Sequence, residues 1–419
     1  MLLIYGKGKS GQSAKALAEK KGFEAAVVDD NDFKEKYIEK TSMIVVSPGI
    51  PFYHPIYKLA KKKRIPIIGE VEFAYRFWKG KVIAVTGTDG KSTTVKLIYD
   101  ILKREKEDIF IGGNYGIPFS EIVLERETGT AVLELSSFQI YSTVYFKPDV
   151  GVFLNISTDH LDWHRRFLHY LISKYRLFKR QKTENYAVLN FDNRYVFQTK
   201  TMAKKMYFSL KPLPGEYEGA FLKDDWIYIR KMDKEEKIVN IKNLPVKGIH
   251  FVQNVMASIL AVQSQGIRKA SIEKGIYEYK PLPFRLEYEG NIKGVEIYND
   301  AKSTTVQSLL MALKSFPDKN VILIAGGINK GGDFSVLKRE KNLKKVILIG
   351  RDKEKIKKMI QPDINPDLSN SLEEAFNRAL YYAEKDDVIL FSPACASFDM
   401  FKNYIDRGNR FKKIVSGLK

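Results

Sequence analysis

Apolar and polar positions along the chain fall into two recurring rhythms: short unbroken apolar runs, and longer stretches with an apolar residue every three or four places. The first is the mark of a strand buried on both faces, the second of a helix with one buried face. The chain opens on the run Leu2 to Tyr5, turns through Gly6, Gly8 and Gly11, and continues with Ala14, Leu17 and Ala18 at helical spacing. Strand, tight turn and helix are therefore expected in that order. Further runs end at Val28 and span Met43 to Val46, the latter meeting Ser47-Pro48-Gly49. This unit should close near Lys79, because Val82 starts a strand with a glycine-rich loop of its own.

From Gly80 to about Lys280 strands alternate with helices, followed by several short strand-like runs between Met206 and Ile241. Pro281-Leu282-Pro283 reads as a hinge. Beyond it, apolar strands at Val295 to Tyr298, Val321 to Ala325, Val346 to Ile349 and Val388 to Phe391 are separated by helical segments. Such alternation predicts doubly wound α/β architecture. The expected fold is α/β in three domains: Rossmann-like over 1–79, P-loop ATPase-like over 80–280 and Rossmann-like again over 281–419.

Composition agrees with this division. The 419 residues, 44% hydrophobic and 29% charged, have ordinary globular make-up and suffice for about three domains. No apolar run approaches the ~20 residues of a membrane span, and the first apolar stretch is too short for a signal peptide. A cytoplasmic protein with no membrane partner is expected. The one cysteine, Cys395, cannot form an intrachain disulfide, in keeping with a reducing compartment. A net charge of +20 raises the alternative of a basic P-loop ATPase that works on nucleic acid. Apart from Lys61, Lys62, Lys63 and Arg64, however, the basic residues are dispersed among Asp and Glu, as on a solvated surface. No nucleic-acid partner is expected, and the charge suits a site that gathers small anions.

Candidate chemistry begins where Val82 to Val85 leads into Thr86-Gly87-Thr88-Asp89-Gly90-Lys91-Ser92-Thr93 and then into apolar helical positions Val95, Ile98, Ile101 and Leu102. Strand, glycine-rich loop and helix form the setting of a phosphate loop, here two residues shorter than the usual Walker loop. Gly87 and Gly90 let backbone amides face phosphate, Lys91 can reach the terminal phosphates, and Ser92 offers a hydroxyl to Mg²⁺. Glu134 ends the run Ala131 to Leu135, where an α/β sheet holds a metal ligand or merely exposes an acid. His160 and His164 follow the run Val150 to Leu154 and stand one helical turn apart, which leaves a zinc site as an alternative. In the first unit, Asp29 and Asp30 follow the glycines at the spacing of a dinucleotide fold. A unit this short favours a single-nucleotide or UDP-type site over NAD.

Gly87 to Thr93, Gly112-Gly113-Asn114-Tyr115-Gly116, Glu134 to Gln139, Asp159-His160-Leu161-Asp162, Asn299 to Thr304 and Ser392-Pro393-Ala394-Cys395-Ala396-Ser397-Phe398-Asp399 follow one another in an order that resembles the Mur ligases. The last two segments resemble the D-glutamate-adding branch, and the likeness covers all three domains. It implies a first domain for the UDP part of the substrate, a central domain for ATP and a C-terminal domain for the amino acid, closing over the reaction. The implied substrates are ATP, UDP-N-acetylmuramoyl-L-alanine and D-glutamate, with two Mg²⁺ ions and a monomeric protein. By motif position, Asp29, Ser47, Pro48 and Gly49 match uridine-diphosphate contacts and Asn114 a sugar-peptide contact. Asn254, Arg285 and Asp300 match adenine, phosphate and ribose contacts, and Lys302, Thr304, Lys330, Ser397, Phe398 and Tyr404 the acceptor pocket. Ser92, Glu134, His160 and Lys174 match the metal residues, with Lys91, His160 and Lys174 the catalytic set and Lys174 carrying a CO₂-derived carbamate.

An ordinary lysine must first lose its proton to form that carbamate, at a cost of roughly 4 to 5 kcal/mol near neutral pH. A folylpolyglutamate-synthetase-like ligase shares the phosphate loop, but the Ser392 to Asp399 segment argues against it. Four residues depart from the family pattern: Asn31 near the uridine pocket, Phe251, Phe284 before Arg285, and Ile328 in the loop before Lys330. Because Ile328 replaces an acid there, the acceptor pocket is expected to take D-glutamate and to tolerate another D-amino acid.

Overall fold

The computed structural model describes residues 1–232, 234–246 and 248–418. They form two compact units, one of Met1–Pro245 with Phe251–Tyr279 and the other of Val246–His250 with Lys280–Lys419.

The first unit contains two sheets. Strands β1 (Leu2–Tyr5), β2 (Ala25–Val28), β3 (Met43–Val46) and β4 (Ile67–Gly69) pair in parallel in the order β2-β1-β3-β4. Their glycine turn is built on two of its three glycines. Gly6 has φ of 113°, and a side-chain carbon there would lie 2.6 Å from Ser47 Oγ; one on Gly11 would lie 1.8 Å from the Gly6 carbonyl oxygen, whereas Gly8 has open space. The loops after β1 and β3 can therefore touch only because neither glycine carries a side chain.

The second sheet of this unit has nine strands: β5 (Lys81–Thr86), β6 (Ile109–Gly113), β7 (Thr130–Glu134), β8 (Val150–Phe153), β9 (Tyr186–Asn190), β10 (Lys204–Ser209), β11 (Gly219–Lys223), β12 (Trp226–Lys231) and β13 (Lys234–Asn240). Their order is β13-β12-β11-β10-β9-β8-β5-β7-β6, with β11 to β13 antiparallel and the rest parallel. The apolar runs predicted between Met206 and Ile241 are β10 to β13. Val82 to Val85 in β5 are fully buried, as continuous apolar runs require in a sheet covered on both faces. β5 lies between β7 and β8, so the loops leaving these three strands emerge side by side, where α/β sheets bind ligands.

In the second unit, β14 (Glu287–Ile292), β15 (Val295–Asn299), β16 (Val321–Gly326), β17 (Leu343–Ile349), β18 (Asp367–Leu368) and β19 (Val388–Phe391) run in the order β14-β15-β19-β16-β17-β18. Only β14 is antiparallel. The four apolar runs predicted beyond Pro283 are β15, β16, β17 and β19.

Candidate active site

The phosphate loop leaves β5 at Thr86 and enters the helix Lys91–Leu102. Its conformation is held by the loop after β8, where Asn155 Oδ1 accepts from the amides of Thr88 at 3.0 Å and Asp89 at 2.9 Å. Gly90 has φ of 82°, and a side-chain carbon there would lie 2.3 Å from Asn254 Oδ1, so glycine lets the loop lie against the expected adenine contact. Lys91 folds over the loop and donates from Nζ to the carbonyls of Gly87 at 3.0 Å and Thr88 at 2.7 Å. Ser92 Oγ donates to Glu134 Oε2 at 2.6 Å, and Asn114 Nδ2 donates to Glu134 Oε1 at 2.6 Å. Thr93 is half-buried on the same first turn. Parallel pairing of β5, β7 and β6 thus brings Ser92, Glu134 and Asn114 into one hydrogen-bonded row. A hydroxyl beside a carboxylate is an oxygen donor pair of the kind a hard divalent cation takes.

Lys174, on the helix Phe167–Tyr175, is buried against this row. Its Nζ donates to the Gly87 carbonyl at 2.7 Å and to Thr86 Oγ1 at 3.2 Å. Burial pushes its pKa well below the usual lysine value, and the Lys91 charge pushes the same way against the opposing pull of Asp159, Asp89 and Glu134. This corrects the starting point of an ordinary lysine: the site itself lowers the cost of a neutral amine. His160 sits at φ of 53° with Nε2 3.3 Å from Asp159 Oδ2 and its ring edge-on to Phe138 at 4.8 Å. His164 points elsewhere, with Nε2 2.8 Å from Ser137 Oγ and Nδ1 2.9 Å from His169 Nδ1. Burial first, then His169, lowers its pKa to about 3, and both ring nitrogens are engaged. The zinc alternative, which paired His160 with His164, therefore lacks its second ligand.

The expected uridine-diphosphate residues cluster where β1, β2 and β3 end. Ser47 Oγ donates to the Gly6 carbonyl at 3.2 Å, Lys7 Nζ lies 2.7 Å from Asp32 Oδ2 and 3.6 Å from Asp29 Oδ2, and Asp29 Oδ1 accepts from the Asn31 amide at 3.0 Å. Pro48 and Gly49 continue this loop to Phe52, whose ring lies 4.3 Å from that of His169 on the Lys174 helix.

In the second unit, Asp300 Oδ2 accepts from Ser392 Oγ at 2.8 Å and Oδ1 from the Leu286 amide at 3.3 Å, which ties the segments of Arg285, Asp300 and Ser392 together. Burial raises the Asp300 carboxyl to about 7, against the smaller opposing effects of Ser392 and Arg285. Ser397 is buried, Lys302 Nζ lies 5.4 Å from the Tyr404 ring centre, and Thr304, Lys330 and Phe398 are exposed on this unit. Ile328 forms an antiparallel bridge with Ala396 through its backbone. The loop before Lys330 is organised instead by Asn329, which exchanges 2.7 and 2.9 Å bonds with Gly332 and donates its amide to Asp352 Oδ2 at 2.9 Å. Of the other departures, Phe251 packs tilted against Tyr279 with ring centres 5.4 Å apart, and Phe284, at φ of 63°, lies where a side chain on Gly408 would meet its ring.

Arg407 was not anticipated. It is buried and donates to the carbonyls of Cys395 at 3.0 Å and Ala301 at 2.7 Å, clamping the segments expected to form the acceptor pocket together. Its signal was its place on the buried face of the helix Tyr404–Ser416, one turn before Phe411 and two before Val415.

Residues 85–262 match the Mur ligase middle domain and residues 284–395 the Mur ligase glutamate ligase domain. The chain is 44% identical over 418 residues to the UDP-N-acetylmuramoylalanine--D-glutamate ligase of Aquifex aeolicus, covering 99% of this chain and 98% of that protein. It is likewise 44% identical over 418 residues, with the same coverage, to the protein of that name from Hydrogenobaculum. Among solved structures, the MurF ligase of Thermotoga maritima in complex with ADP shares the fold with a TM-score of 0.65 at 18% identity, over 100% of this chain and 95% of that one. A pseudomurein peptide ligase type C from Methanothermus fervidus gives 0.64 at 20% identity, over 100% of both chains.

Proposed function

The chain belongs to the Mur ligase family, and on that footing we infer that it joins D-glutamate to UDP-N-acetylmuramoyl-L-alanine with conversion of ATP to ADP and phosphate, a step of peptidoglycan precursor synthesis. The observation that carries this reading is the row Ser92, Glu134 and Asn114 beside the phosphate loop, with Lys174 buried on Gly87. The substrate carboxylate attacks the γ-phosphorus of ATP, the bond to ADP breaks, and an acyl phosphate forms. The D-glutamate amine then attacks the acyl carbon, loses a proton, and phosphate leaves as the amide forms.

Each protein group answers a charge or a position in that sequence. Lys91 supplies positive charge beside the phosphates, and Arg285 adds to it, because two anions must meet. Gly87, Thr88, Asp89, Gly90 and Thr93 line the ATP loop, while Asn254 and Asp300 take adenine and ribose. Mg²⁺ would be held by Ser92 and Glu134, with His160 and carbamylated Lys174 near a second ion, and would neutralise developing phosphate charge. The donor set suits it, since the first pair is all oxygen and the lowered Lys174 pKa favours the amine that CO₂ must meet. Asp29, Ser47, Pro48 and Gly49 hold the uridine diphosphate and Asn114 the sugar-peptide. Lys302, Thr304, Lys330, Ser397, Phe398 and Tyr404 receive the amino acid, with some tolerance for another D-amino acid. We assign 1–79, 80–280 and 281–419 to the UDP, ATP and amino-acid parts, and a monomer working in the cytoplasm. No described helix is long and apolar enough to cross a membrane. The deciding experiment is phosphate release from ATP with UDP-N-acetylmuramoyl-L-alanine and a panel of amino acids. Release that needs both the UDP substrate and D-glutamate supports the reading, and release stimulated by DNA or RNA in their absence overturns it.

A further inference from the structure

The helix Glu70–Tyr75 follows β4 directly and carries two buried acids in its first turn, Glu70 and Glu72. A buried carboxylate normally demands strong partners, since leaving it unpaired away from water is strongly unfavourable. Glu72 finds them in another part of the unit. Its Oε2 accepts from the amides of Val144 at 2.9 Å, Tyr145 at 3.0 Å and Phe146 at 2.9 Å, and Oε1 accepts from Tyr145 at 3.1 Å. Three successive amides on one carboxylate make an anion nest. Around it, the Gly69 amide donates to the Ser142 carbonyl at 2.8 Å, Tyr57 Oη meets Ser142 Oγ at 3.3 Å, and Tyr75 Oη donates to the Lys147 carbonyl at 3.1 Å. All of these partners come from the β1 to β4 part of the chain.

Segment 142–147 is also held by a residue just beyond the Lys174 helix. Arg176 Nη2, two residues beyond Lys174, donates to the Thr143 carbonyl at 2.7 Å. The segment directly follows the helix Ser137–Tyr141, which Glu134 and Ser136 introduce. One short stretch of backbone therefore connects the sheet that bears Asp29 and Ser47 with both the Glu134 segment and the Lys174 helix.

We propose that Glu72 is a positioning residue that fixes the distance between the UDP-binding loops and the phosphoryl-transfer centre. This rests on the substrate reading above. A substrate held at its uridine end delivers its distant carboxylate to ATP only if both ends are engaged at once, and the gain depends on a rigid span between them. Glu72 provides that rigidity through fixed backbone amides, with Arg76 Nε at the end of its own helix 3.8 Å from Oε1 as a further, local partner. Glu70 is the internal control: it is as deeply buried on the same turn but accepts one amide, Ser120 at 2.6 Å, and burial raises its pKa.

The test compares kcat/KM for UDP-N-acetylmuramoyl-L-alanine with kcat/KM for N-acetylmuramoyl-L-alanine, which lacks the uridine handle. In Glu72→Gln and Glu72→Asp the ratio should fall at least tenfold through a raised KM for the full substrate, with KM for ATP unchanged, and Asp should lose less than Gln because it keeps the charge. In Glu70→Gln the ratio should hold. A general loss of folded protein would lower both rates together and leave the ratio intact. Hydrogen exchange at Val144, Tyr145 and Phe146 in the wild-type protein gives a second reading, with protection matching β5 expected. An unchanged ratio in both Glu72 variants, an equal fall in Glu70→Gln, or fast exchange at those amides overturns the proposal. A wild-type protein inactive on the UDP substrate would instead overturn the functional reading itself.

Discussion

Ser92 and Glu134 meet side chain to side chain, with Ser92 Oγ donating to Glu134 Oε2 at 2.6 Å across 42 residues of sequence. The contact joins the first turn of the phosphate-loop helix to the end of the neighbouring strand. It leaves the carboxylate with two acceptor oxygens facing polar donors in a buried site, an arrangement whose value depends on negative charge.

Replacement of Glu134 by Gln tests that charge at nearly constant volume. Gln keeps one carbonyl acceptor for Ser92 or Asn114 but offers no anion to Mg²⁺. Phosphate release should fall about 10²- to 10³-fold, the scale seen when one electrostatic stabiliser is removed. The melting temperature should stay within a few degrees, and a variant with near-normal turnover would remove Glu134 from the metal set.

Lys174→Ala should abolish most turnover and respond to added acetate or formate, since a small carboxylate can supply the anion that a carbamate would carry. The lysine is buried and its pKa is held below the usual lysine value, which favours the neutral amine that reacts with CO₂. Mass spectrometry of the intact protein under CO₂ should show the added group in wild type and not in the variant. Wild-type Lys174 carrying no carbamate in a metal-bound enzyme would defeat this assignment.

Sequence patterning carried the site where local chemistry suffices and lost it where buried polar groups meet across the fold. The glycines and Lys91 announce a phosphate loop because strand, loop and helix are contiguous. Glu134 was visible as an acid at a strand end. Lys174 looks like any helix lysine, and only the family likeness marked it, because its burial depends on the loop after β5, far away in sequence. Asn155, Glu72 and Arg407 escape notice for the same reason. Each satisfies buried groups from another element, and none lies in a local motif. Ile328 shows the converse: its side chain stands out in the sequence, whereas the loop's hydrogen bonds run through its backbone and Asn329.

Asp300 gives the site a pH signature. Burial raises its carboxyl from 3.8 to about 7, so the folded state holds the proton more tightly than the unfolded chain. Stability from this group is full below about pH 4, declines as the unfolded state ionises first, and is lost by about pH 7. Asp300→Asn, which keeps the acceptor for Ser392, should match wild type in acid and exceed it by about 2 kcal/mol or more at pH 8. The same variant should bind ATP more weakly if Asp300 contacts ribose. Thermal unfolding of both proteins between pH 5 and pH 8 checks the sign, and a gap that narrows as pH rises would refute it.

The acceptor pocket should prefer D-glutamate by stereochemistry more firmly than by side chain. Ser397 is buried, whereas Lys330, Thr304 and Phe398 are exposed on their unit, Phe398 at 69%. A specific site rejects the wrong side chain by leaving its own buried polar groups unpaired, which can reach 10⁴-fold, but a solvated lysine loses little when its partner changes. Inverting the α-carbon, by contrast, moves the amine away from the acyl carbon and forfeits the attack geometry. Values of kcat/KM for D-glutamate, D-aspartate, D-lysine and L-glutamate should therefore place D-glutamate first, at least one other D-amino acid within about 10³-fold, and L-glutamate last. If D-glutamate were inert the acceptor assignment would fall, and if it were the only D-substrate the tolerance would.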